Sequence, residues 1–521
     1  MGLGTKHTNN RVFHAFCLPQ FPNPQSRITF KLYCWSFVRQ TSWSVPGMVL
    51  RPPMHLKSAE QESSIKVRWT VPSRRSRRAV NLLVGSCLVL IVTLLVTFCG
   101  CQQQHIPNTM HGSHVAIPAR PKLPLANLDA EPIVRVRVAR RADRVLINAH
   151  GMITIGPGPS QANRATPQQF AAPVTISKHG AGYAIRPAQG QAIAWGLDAL
   201  QIITASGHVA VNGTTYPGTI MIHHSVPTKW DPTPTSVDAV NHVGLETYLP
   251  GVLEKELYSS WHPATFTAQA IAARSYAIVQ HYANENRHYD MEAGTASQAY
   301  VGSNTGYKPQ QAVLQTRGMV LVYDGRVVPG YYSSTCGGAA QDASIAFPNG
   351  EDIPPLHGGL RTAWCSQSKK FRWGPFTRDR TMLSARIAAW GKSTERSIGA
   401  VGTITSIQIT QRNKGFRPAV FTITDHRNRR FNLGPEEFRF ACNYASSGTK
   451  TLSKIPASQR LYSSFIDVTV SGNNVQFANG RGYGHGVGMC QFGAQGMAQA
   501  GLQPEQILRT YYPSSRIQRA Y

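Results

Sequence analysis

Two glutamates near the middle of the chain are candidates for acid–base chemistry. Glu256 is flanked by Leu257, Tyr258 and Trp261. A carboxyl group among apolar and aromatic neighbours loses solvation of its charged form, which raises its pKa and lets it donate a proton near neutral pH. A general acid requires this property. Glu254 competes for the role, and by residue type alone either glutamate is more often an ordinary surface carboxylate.

A histidine near the C-terminus lies in a glycine-rich segment, RGYGHGVGMCQFGAQGM, residues 481–497. Glycines at alternate positions let a backbone approach a bulky ligand closely, and His485 could then hydrogen-bond ligand oxygens. The alternative is a tight glycine-rich turn that His485 merely caps. The segment lacks the Gly-x-Gly-x-x-Gly spacing of a dinucleotide-binding loop.

The segments before these candidates are predicted to be strands. Residues 132–240 contain two runs, IVRVRVARRADRVLINAHGMITI and GHVAVNGTTYPGTIMIHHS, in which apolar and polar residues alternate as in half-buried strands. The second run contains Asn212-Gly213, a dipeptide typical of a β-hairpin turn. At the other end of the chain, Pro504 predicts the start of a short helix, with an edge strand or tail after it.

The chain becomes helical in residues 241–345, where we expect the chemistry to lie. Pro263 suits the first turn of a helix, and the Ala-rich run that follows has no Gly or Pro before residue 285. Gln269 and Tyr276 share a polar face of this helix, whereas Arg274 lies well away from them. Such a face either lines a groove or is simply solvated. Together with the C-terminal part, residues 346–521, this organisation predicts an α+β fold.

The first part of the chain predicts export. Four arginines precede an uncharged apolar stretch, so residues 74–101 are expected to be a signal anchor, with the rest of the chain outside the cytoplasm. A lipoprotein signal acylated at Cys101 is the alternative. Residues 1–73 are expected to be an N-terminal extension, in which Met48 and Met54 are alternative starts of translation. The proline-punctuated residues 102–131 are expected to be a linker.

The chain has 521 residues and a formal net charge of +28, and residues 1–101 carry 13 of its 53 basic and 2 of its 25 acidic residues. The remaining excess of +17 suits an anionic partner, which could be nucleic acid, a membrane surface or an extracellular acidic polymer. No basic run with interleaved aromatic residues follows residue 101, so we do not expect a nucleic-acid partner.

Five motifs in this order resemble the SpoIID/LytB family, named for a stage II sporulation protein and an amidase enhancer. They are LETYLPGVLEKEL (245–257), AQAIAARSYA (268–277), YYSSTCGG (331–338), GRGYGHGVGMCQFGAQGMA (480–498) and ILRTYYP (507–513). The resemblance runs from about residue 132 to the C-terminus. It implies a mixed α and β domain with a substrate groove, and a lytic transglycosylase that cleaves peptidoglycan strands stripped of stem peptides. A non-catalytic wall-binding regulator of a cell-wall amidase is the alternative.

The resemblance also assigns roles to residues. The family's catalytic glutamate corresponds to Glu256 rather than Glu254, and the methionine that usually follows it is Leu257 here. A lytic mechanism suits one carboxyl group, because the C6 hydroxyl of the substrate supplies the nucleophile; among the motifs, only Glu246 and Glu254 could be a second carboxylate. The residues expected to bind substrate are Gln269, Arg274, Tyr276, Ser334, Thr335, Gly337, Tyr483, His485, Gly486 and Gln491.

Cysteine chemistry is expected to be structural. Cys336, Cys365, Cys442 and Cys490 fall in the exported part, and in an oxidising compartment we expect Cys336 to pair with Cys365 because both flank one loop region. Some family members bind zinc beside this motif through Cys and His. Ser333 replaces that histidine here, so a disulfide or a buried thiol is expected and no cofactor is predicted. Zinc held by Cys336 and Cys365 is the weaker alternative.

Overall fold

The structure is a computed structural model that describes residues 123–229, 231–348, 350–446 and 452–521, with two short strands nearer the N-terminus. The chain divides into two compact units, Met1–Pro107 and Asn108–Tyr521. In the first, strand β1 (Phe30–Lys31) pairs antiparallel with β2 (Ser64–Ile65). The anchor predicted at residues 74–101 lies outside the described residues. Among the helices that can be described, none is long and apolar enough to span a bilayer.

Strands dominate the start of the second unit. They are β3 (Ile133–Ala142), β4 (Val145–Asn148), β5 (Met152–Pro157), β6 (Gln168–Ala171), β7 (Val174–His179), β8 (Gly182–Pro187), β9 (Ile193–Trp195), β10 (Ala199–Thr204), β11 (His208–Val211), β12 (Thr214–Pro217), β13 (Thr219–His224) and β14 (Val237–Gly244). Asn212 and Gly213 form the turn between β11 and β12 with φ values of 49° and 89°, which is the left-handed geometry that Asn-Gly supplies.

These strands form two sheets with one shared core. The larger has the order β15-β3-β14-β13-β10-β5-β6 and the smaller the order β12-β11-β4-β7-β8-β9, where β15 is Met291–Glu292. Alternate residues of both sheets, such as Val136 of β3 and Ile147 of β4, are fully buried in the same cluster. The alternation in the sequence therefore marks the inward face of each strand.

The helices follow the strands. They are α1 (Leu245–Glu256), α2 (Pro263–Ala283), α3 (Tyr307–Gln315), α4 (Ala343–Ala346), α5 (Arg380–Ser393), α6 (Pro435–Asn443), α7 (Gln491–Gln499) and α8 (Pro504–Tyr511), with 3-10 turns at Pro159–Gln161, Pro354–Leu356, Ser397–Ala400 and Ala457–Gln459. Helix α2 begins at Pro263, as predicted, and His262 caps it. Ala270 and Ala273 of α2 face the core of the sheets, whereas Ala268 and Ala272 face a second core. Small residues allow α2 to lie between the two cores.

Short strands complete the second unit. They are β16 (Met319–Tyr323), β17 (Arg326–Val327), β18 (Tyr332–Ser333), β19 (Arg372–Trp373), β20 (Phe376–Asp379), β21 (Ile404–Arg412), β22 (Pro418–Asp425), β23 (Arg430–Leu433), β24 (Asp467–Ser471), β25 (Asn474–Ala478), β26 (Gly480–Arg481), β27 (Met489–Cys490) and β28 (Arg516–Arg519). Helices α5 and α6 pack with β20 to β25 around a third core. Strand β28 is the edge of the sheet β17-β16-β28, as the C-terminal pattern predicts. The fold is α+β, and that prediction is confirmed.

Candidate active site

Glu256 is the last residue of α1. The helix ends there because Leu257 takes an extended conformation, with φ −120° and ψ 155°. The buried face of α1 fixes the helix in the core through Leu245, Tyr248, Leu249, Val252 and Leu253. A carboxylate at this end of a helix meets the partial negative charge of the last carbonyl groups. Helix stability therefore does not explain a glutamate at this position.

The Glu256 carboxyl group is partly buried and is held by one donor on each oxygen. The backbone N–H of Ala299 donates to Oε1 at 2.9 Å, and Nε2 of Gln491 donates to Oε2 at 3.2 Å. Burial raises the pKa of Glu256, and these two hydrogen bonds only partly oppose the shift. Glu256 forms no ion pair among the residues that the structure describes. The result is an oriented carboxyl group with an increased tendency to carry a proton.

The competing glutamates have structural partners. Glu254 Oε2 accepts a hydrogen bond from the backbone N–H of Gly306 at 2.8 Å, immediately before α3 begins. Burial alone would raise the pKa of Glu246, but the Arg274 guanidinium, which donates to both of its oxygens at 2.8 Å, holds that pKa below its usual range. Both carboxylates therefore hold neighbouring structural elements in place.

Arg274 has structural partners, and Glu256 is not among the described residues that its guanidinium contacts. Its side chain is fully buried and also donates to the carbonyl of Met319 at 3.1 Å and to Thr316 Oγ1 at 3.3 Å. These contacts, with the ion pair to Glu246, join α1 and α2 to β16. Arg274 therefore has a structural role, and its predicted contact with substrate stays a prediction.

Gln269 and Tyr276 of α2 do lie in the neighbourhood of the acid. Gln269 is fully buried, and its Oε1 is 3.5 Å from the same Gln491 Nε2 that contacts Glu256. Within the described part of the chain, Gln269 Nε2 has no hydrogen-bond partner. Burial raises the pKa of Tyr276 to about 12, and the negative charge of Glu256 acts in the same direction. Gln269, Tyr276 and Gln491 are therefore the predicted residues that can act together with Glu256.

The YYSSTCGG and glycine-rich segments meet as paired strands. β18 and β27 pair in parallel, with Ser333 opposite Cys490. Thr335 and Tyr483 exchange two backbone hydrogen bonds, of 3.2 and 2.8 Å. Gly337 explains the close approach: its φ is +69°, and a Cβ there would lie 2.6 Å from the backbone nitrogen of Gly482. The predicted glycine is needed for backbone packing.

His485 caps its own loop. Its Nδ1 accepts a hydrogen bond from the backbone N–H of Val487 at 3.0 Å, and burial lowers its pKa to about 4, so the ring is neutral near pH 7. The His485 carbonyl accepts from Nη2 of Arg417 at 3.2 Å. A Cβ on Gly486 would lie 2.5 Å from Nη1 of the same guanidinium. The geometry thus favours the capping alternative for His485 and gives Gly486 a packing role.

The other predicted binding residues differ in accessibility. Thr335 is fully buried, whereas Tyr483 is 39% exposed and packs against the Tyr462 ring at 5.4 Å. The Ser334 carbonyl accepts from the backbone N–H of Phe492 at 3.0 Å, which ties this motif to the start of α7. Their contact with a substrate stays a prediction, as does the groove.

Three of the four cysteines form a buried cluster. The Sγ atoms of Cys336, Cys365 and Cys490 lie within 4.8 Å of one another, whereas Cys442 belongs to the third core. The sulfurs of Cys336 and Cys365, which we expected to form a disulfide, are 3.6 Å apart, and both cysteines are free in this structure. Hydrogen bonds from Cys336 and Cys490 lower the pKa of Cys365.

The cluster fits a zinc ion by donor type and spacing. Zinc is commonly held by four ligands that include thiolates, and the thiolate is the form that binds metal. Cys490 was not among the candidate ligands named from the sequence, which were Cys336 and Cys365. The pairing of β18 with β27 brings Cys490 close to Cys336.

Sequence reasoning missed two further groups. Ala299 contributes through its backbone N–H, which no side-chain pattern reveals. Arg417 is fully buried and donates to the carbonyls of Cys336 at 2.8 Å and Ala339 at 3.0 Å, as well as to that of His485. It links the two motifs from the loop between β21 and β22, and its surroundings in the sequence give no signal of this role.

Comparison with known proteins gives the context of these motifs. A family model described as stage II sporulation protein, SpoIID, matches residues 233–323. An uncharacterized protein of Brachyspira hyodysenteriae is 31% identical over 307 residues, which cover 58% of this chain and 72% of that protein. The stage II sporulation protein D of Bacillus amyloliquefaciens is 24% identical, with 55% of this chain and 77% of that protein covered.

The amidase enhancer of Bacillus subtilis is also similar. It is 26% identical over 294 residues, which cover 52% of this chain but only 40% of the enhancer. The matched region of this chain therefore corresponds to less than half of the enhancer.

Proposed function

The chain belongs to the SpoIID/LytB family, and we propose that it is a lytic transglycosylase that cleaves peptidoglycan glycan strands from which the stem peptides have been removed. The observation that carries this proposal is the Glu256 carboxyl group, whose pKa is raised by burial and whose two oxygens are each held by a hydrogen bond. The protein is expected at the cell envelope, outside the cytoplasm.

Glu256 would act twice in the reaction. As an acid it gives its proton to the glycosidic oxygen while the bond from that oxygen to C1 of the muramyl sugar breaks. As a carboxylate it then takes the proton of the C6 hydroxyl of the same sugar, whose oxygen forms the new bond to C1. The products are a 1,6-anhydro end and a free hydroxyl, and Glu256 is protonated again. No water enters the balance.

The positions of the other carboxylates support this route over ordinary hydrolysis. A hydrolase needs a second carboxylate to activate water or to attack the sugar. Glu246 is paired with Arg274, and Glu254 accepts from the Gly306 N–H, so both are occupied in holding helices. A single carboxyl group suffices when the substrate supplies the nucleophile.

A zinc ion at Cys336, Cys365 and Cys490 would hold together three segments that are distant in sequence. Its contribution when bound would be structural, since Cys490 directly precedes α7, the helix that carries Gln491. The proton transfers at Glu256 do not involve this ion.

The second candidate function is a non-catalytic enhancer of a cell-wall amidase. It is favoured by the similarity to the Bacillus subtilis amidase enhancer. In that function the same surface would bind glycan and a partner amidase without cleaving the strand.

The two functions are separated by the products released from amidase-treated glycan strands. Residues 108–521, which form one compact unit, would be compared with Glu256→Gln and with the matched control Glu254→Gln. We expect anhydro-muramyl ends from the parent and the control, and none from Glu256→Gln, by mass spectrometry. Reducing ends would show a hydrolase and refute the lytic route. Strand binding without cleavage by any of the three would support the enhancer.

A further inference from the structure

Two aromatic residues that follow Glu256 in the chain form a cluster with a third from α7, and the mechanism above does not use them. It consists of Tyr258, Trp261 and Phe492. The Tyr258 and Trp261 ring centroids are 5.2 Å apart, those of Trp261 and Phe492 are 4.9 Å apart in an edge-on contact, and those of Tyr258 and Phe492 are 6.1 Å apart. Trp261 is only 8% exposed, whereas Tyr258 is 61% exposed. The cluster therefore has a buried base and an open tyrosine ring.

The cluster and the acid are carried by the same two segments. Tyr258 follows Glu256 by two residues, and Phe492 follows Gln491, whose amide donates to Glu256. The chain segments that carry the exposed ring and its Phe492 neighbour are thus the segments that carry the acid and its Gln491 partner. A glycan strand whose glycosidic oxygen receives a proton from Glu256 would extend over neighbouring residues. Tyr258 is an exposed aromatic residue two positions after the acid in the chain.

The loop that carries Tyr258 is held rigidly. Lys308 Nζ donates to the carbonyls of Ser259 at 2.8 Å and Trp261 at 2.9 Å. The backbone N–H of His262 donates to Oε1 of Gln495 in α7 at 2.9 Å. These contacts arrange the ring before any ligand binds, which reduces the entropy lost on binding.

We propose that Tyr258, supported by Trp261 and Phe492, is a saccharide subsite that holds a pyranose ring of the glycan strand beside Glu256. This inference rests on the proposed function, because it takes the glycan as the ligand. A pyranose has an apolar face of C–H groups and a rim of hydroxyl groups. An aromatic ring beside amide and carboxyl groups matches both features, since apolar surfaces with a few polar groups are typical of ligand sites. Tyr258 is then a substrate-positioning residue.

The occupant is a sugar and not an apolar protein surface because the site beside the ring is polar. Gln491 directly precedes Phe492, Glu256 lies two residues before Tyr258, and Gln269 Nε2 is an unpartnered buried donor in the same network, as far as the structure describes it. An apolar partner would leave such groups without hydrogen bonds, which is costly, whereas hydroxyl and acetamido groups can satisfy them.

The test measures binding, so that it does not depend on cleavage. Amidase-treated glycan strands of defined length would be titrated into Glu256→Gln protein and into the same protein carrying Tyr258→Ala or Tyr258→Phe. The matched control is Tyr307→Ala, because Tyr307 is 75% exposed at the start of α3 and lies outside the cluster. Near-ultraviolet circular dichroism would verify that each variant is folded.

We expect Tyr258→Ala to weaken strand binding by about tenfold, which corresponds to about 1.4 kcal/mol, since one face of an exposed aromatic ring is withdrawn from water on binding. Tyr258→Phe keeps the ring and should bind within about twofold of the parent, and so should Tyr307→Ala. Equal affinity of Tyr258→Ala and its parent would overturn the subsite. Failure of the parent to bind strands would overturn it together with the glycan function.

Suppose that strand binding depends on Tyr258 but the wild-type protein does not cleave glycan. This result would support the subsite and refute only the lytic reaction. Loss of binding to a purified cell-wall amidase by Tyr258→Ala, with strand binding unchanged, would instead assign the cluster to a protein partner and overturn the saccharide proposal.

Discussion

Replacing Arg274 by methionine tests whether this residue has a structural role or a substrate-binding role. The Arg274 side chain is fully buried and its Glu246 partner is 8% exposed, so the change leaves a buried carboxylate without its cation. Loss of one partner from a buried ion pair typically costs about 3–5 kcal/mol. Met319 and Thr316 also lose a donor. We therefore expect Arg274→Met to lower the free energy of unfolding by about 3–5 kcal/mol, measured by urea unfolding at pH 7.

A second substitution and a change of pH sharpen this prediction. Glu246→Gln in the Arg274→Met background removes the uncompensated charge and keeps an acceptor for the Gly318 N–H, so it should restore about 2 kcal/mol. In the wild type the lowered pKa of Glu246 means that its ion pair stabilises the fold above the pKa of an unfolded carboxyl group. This contribution is lost as pH falls through the lower pKa of the folded state. The difference between wild type and Arg274→Met should therefore shrink at acidic pH.

The opposite pattern would refute the structural role. If Arg274→Met unfolds within about 0.5 kcal/mol of the wild type, the ion pair does not hold α1 and α2 together. If the same variant also loses affinity for glycan strands, Arg274 belongs to the substrate site after all.

Three further predictions concern the glycine-rich segment and its contacts. Gln491→Ala removes a hydrogen bond that favours the charged form of Glu256, so the pKa of Glu256 should rise and the alkaline limb of the pH–rate profile of strand cleavage should move to higher pH; an unchanged limb would count against Glu256 as the acid. Gly486→Ala should lower the free energy of unfolding in urea by about 2–4 kcal/mol, because its φ is +78° and the new Cβ meets buried Arg417. The matched control Gly501→Ala, with φ +88° and no atom within 4 Å, should cost only about 1 kcal/mol, and equal losses would show that the contact with Arg417 is unimportant. Protein purified under reducing conditions should contain one zinc per chain by elemental analysis, lost in Cys490→Ser; a Cys336–Cys365 disulfide found by peptide mass spectrometry instead would contradict the metal.

The sequence predicts those parts of the molecule that depend on local patterns. Alternation in residues 133–224 reports which strand faces are buried, Asn212-Gly213 specifies its turn, and Pro263 marks the first residue of α2. These signals are local because strand pleat, turn conformation and helix start each depend on a few neighbouring residues. The burial of Glu256 was expected on the same basis, from the apolar residues that follow it.

The parts that the sequence did not predict depend on pairing between distant segments. Arg274 shares a helix with Gln269, and only the position of Glu246 decides that its guanidinium points into a structural ion pair. Cys490 joins Cys336 because β18 and β27 pair, across more than 150 residues of chain. His485 has the residue type of a catalytic group, but the Val487 N–H and burial give it a capping role.

The orientation of Glu256 depends on the folding of the C-terminal motif as well as on its own helix. Its Oε1 is held by Ala299, 43 residues away in the chain, whereas its Oε2 is held by Gln491, the first residue of α7 and 235 residues away. Cys490 caps α7 by accepting a hydrogen bond from the backbone N–H of Gly493 at 3.3 Å, and it also accepts from that of Cys336 at 3.2 Å. Any change in the bonding of the Cys490 sulfur therefore acts at the start of the helix that presents Gln491 to the acid. The glycine-rich segment contributes to the site by placing the start of this helix. Its glycines therefore have packing roles.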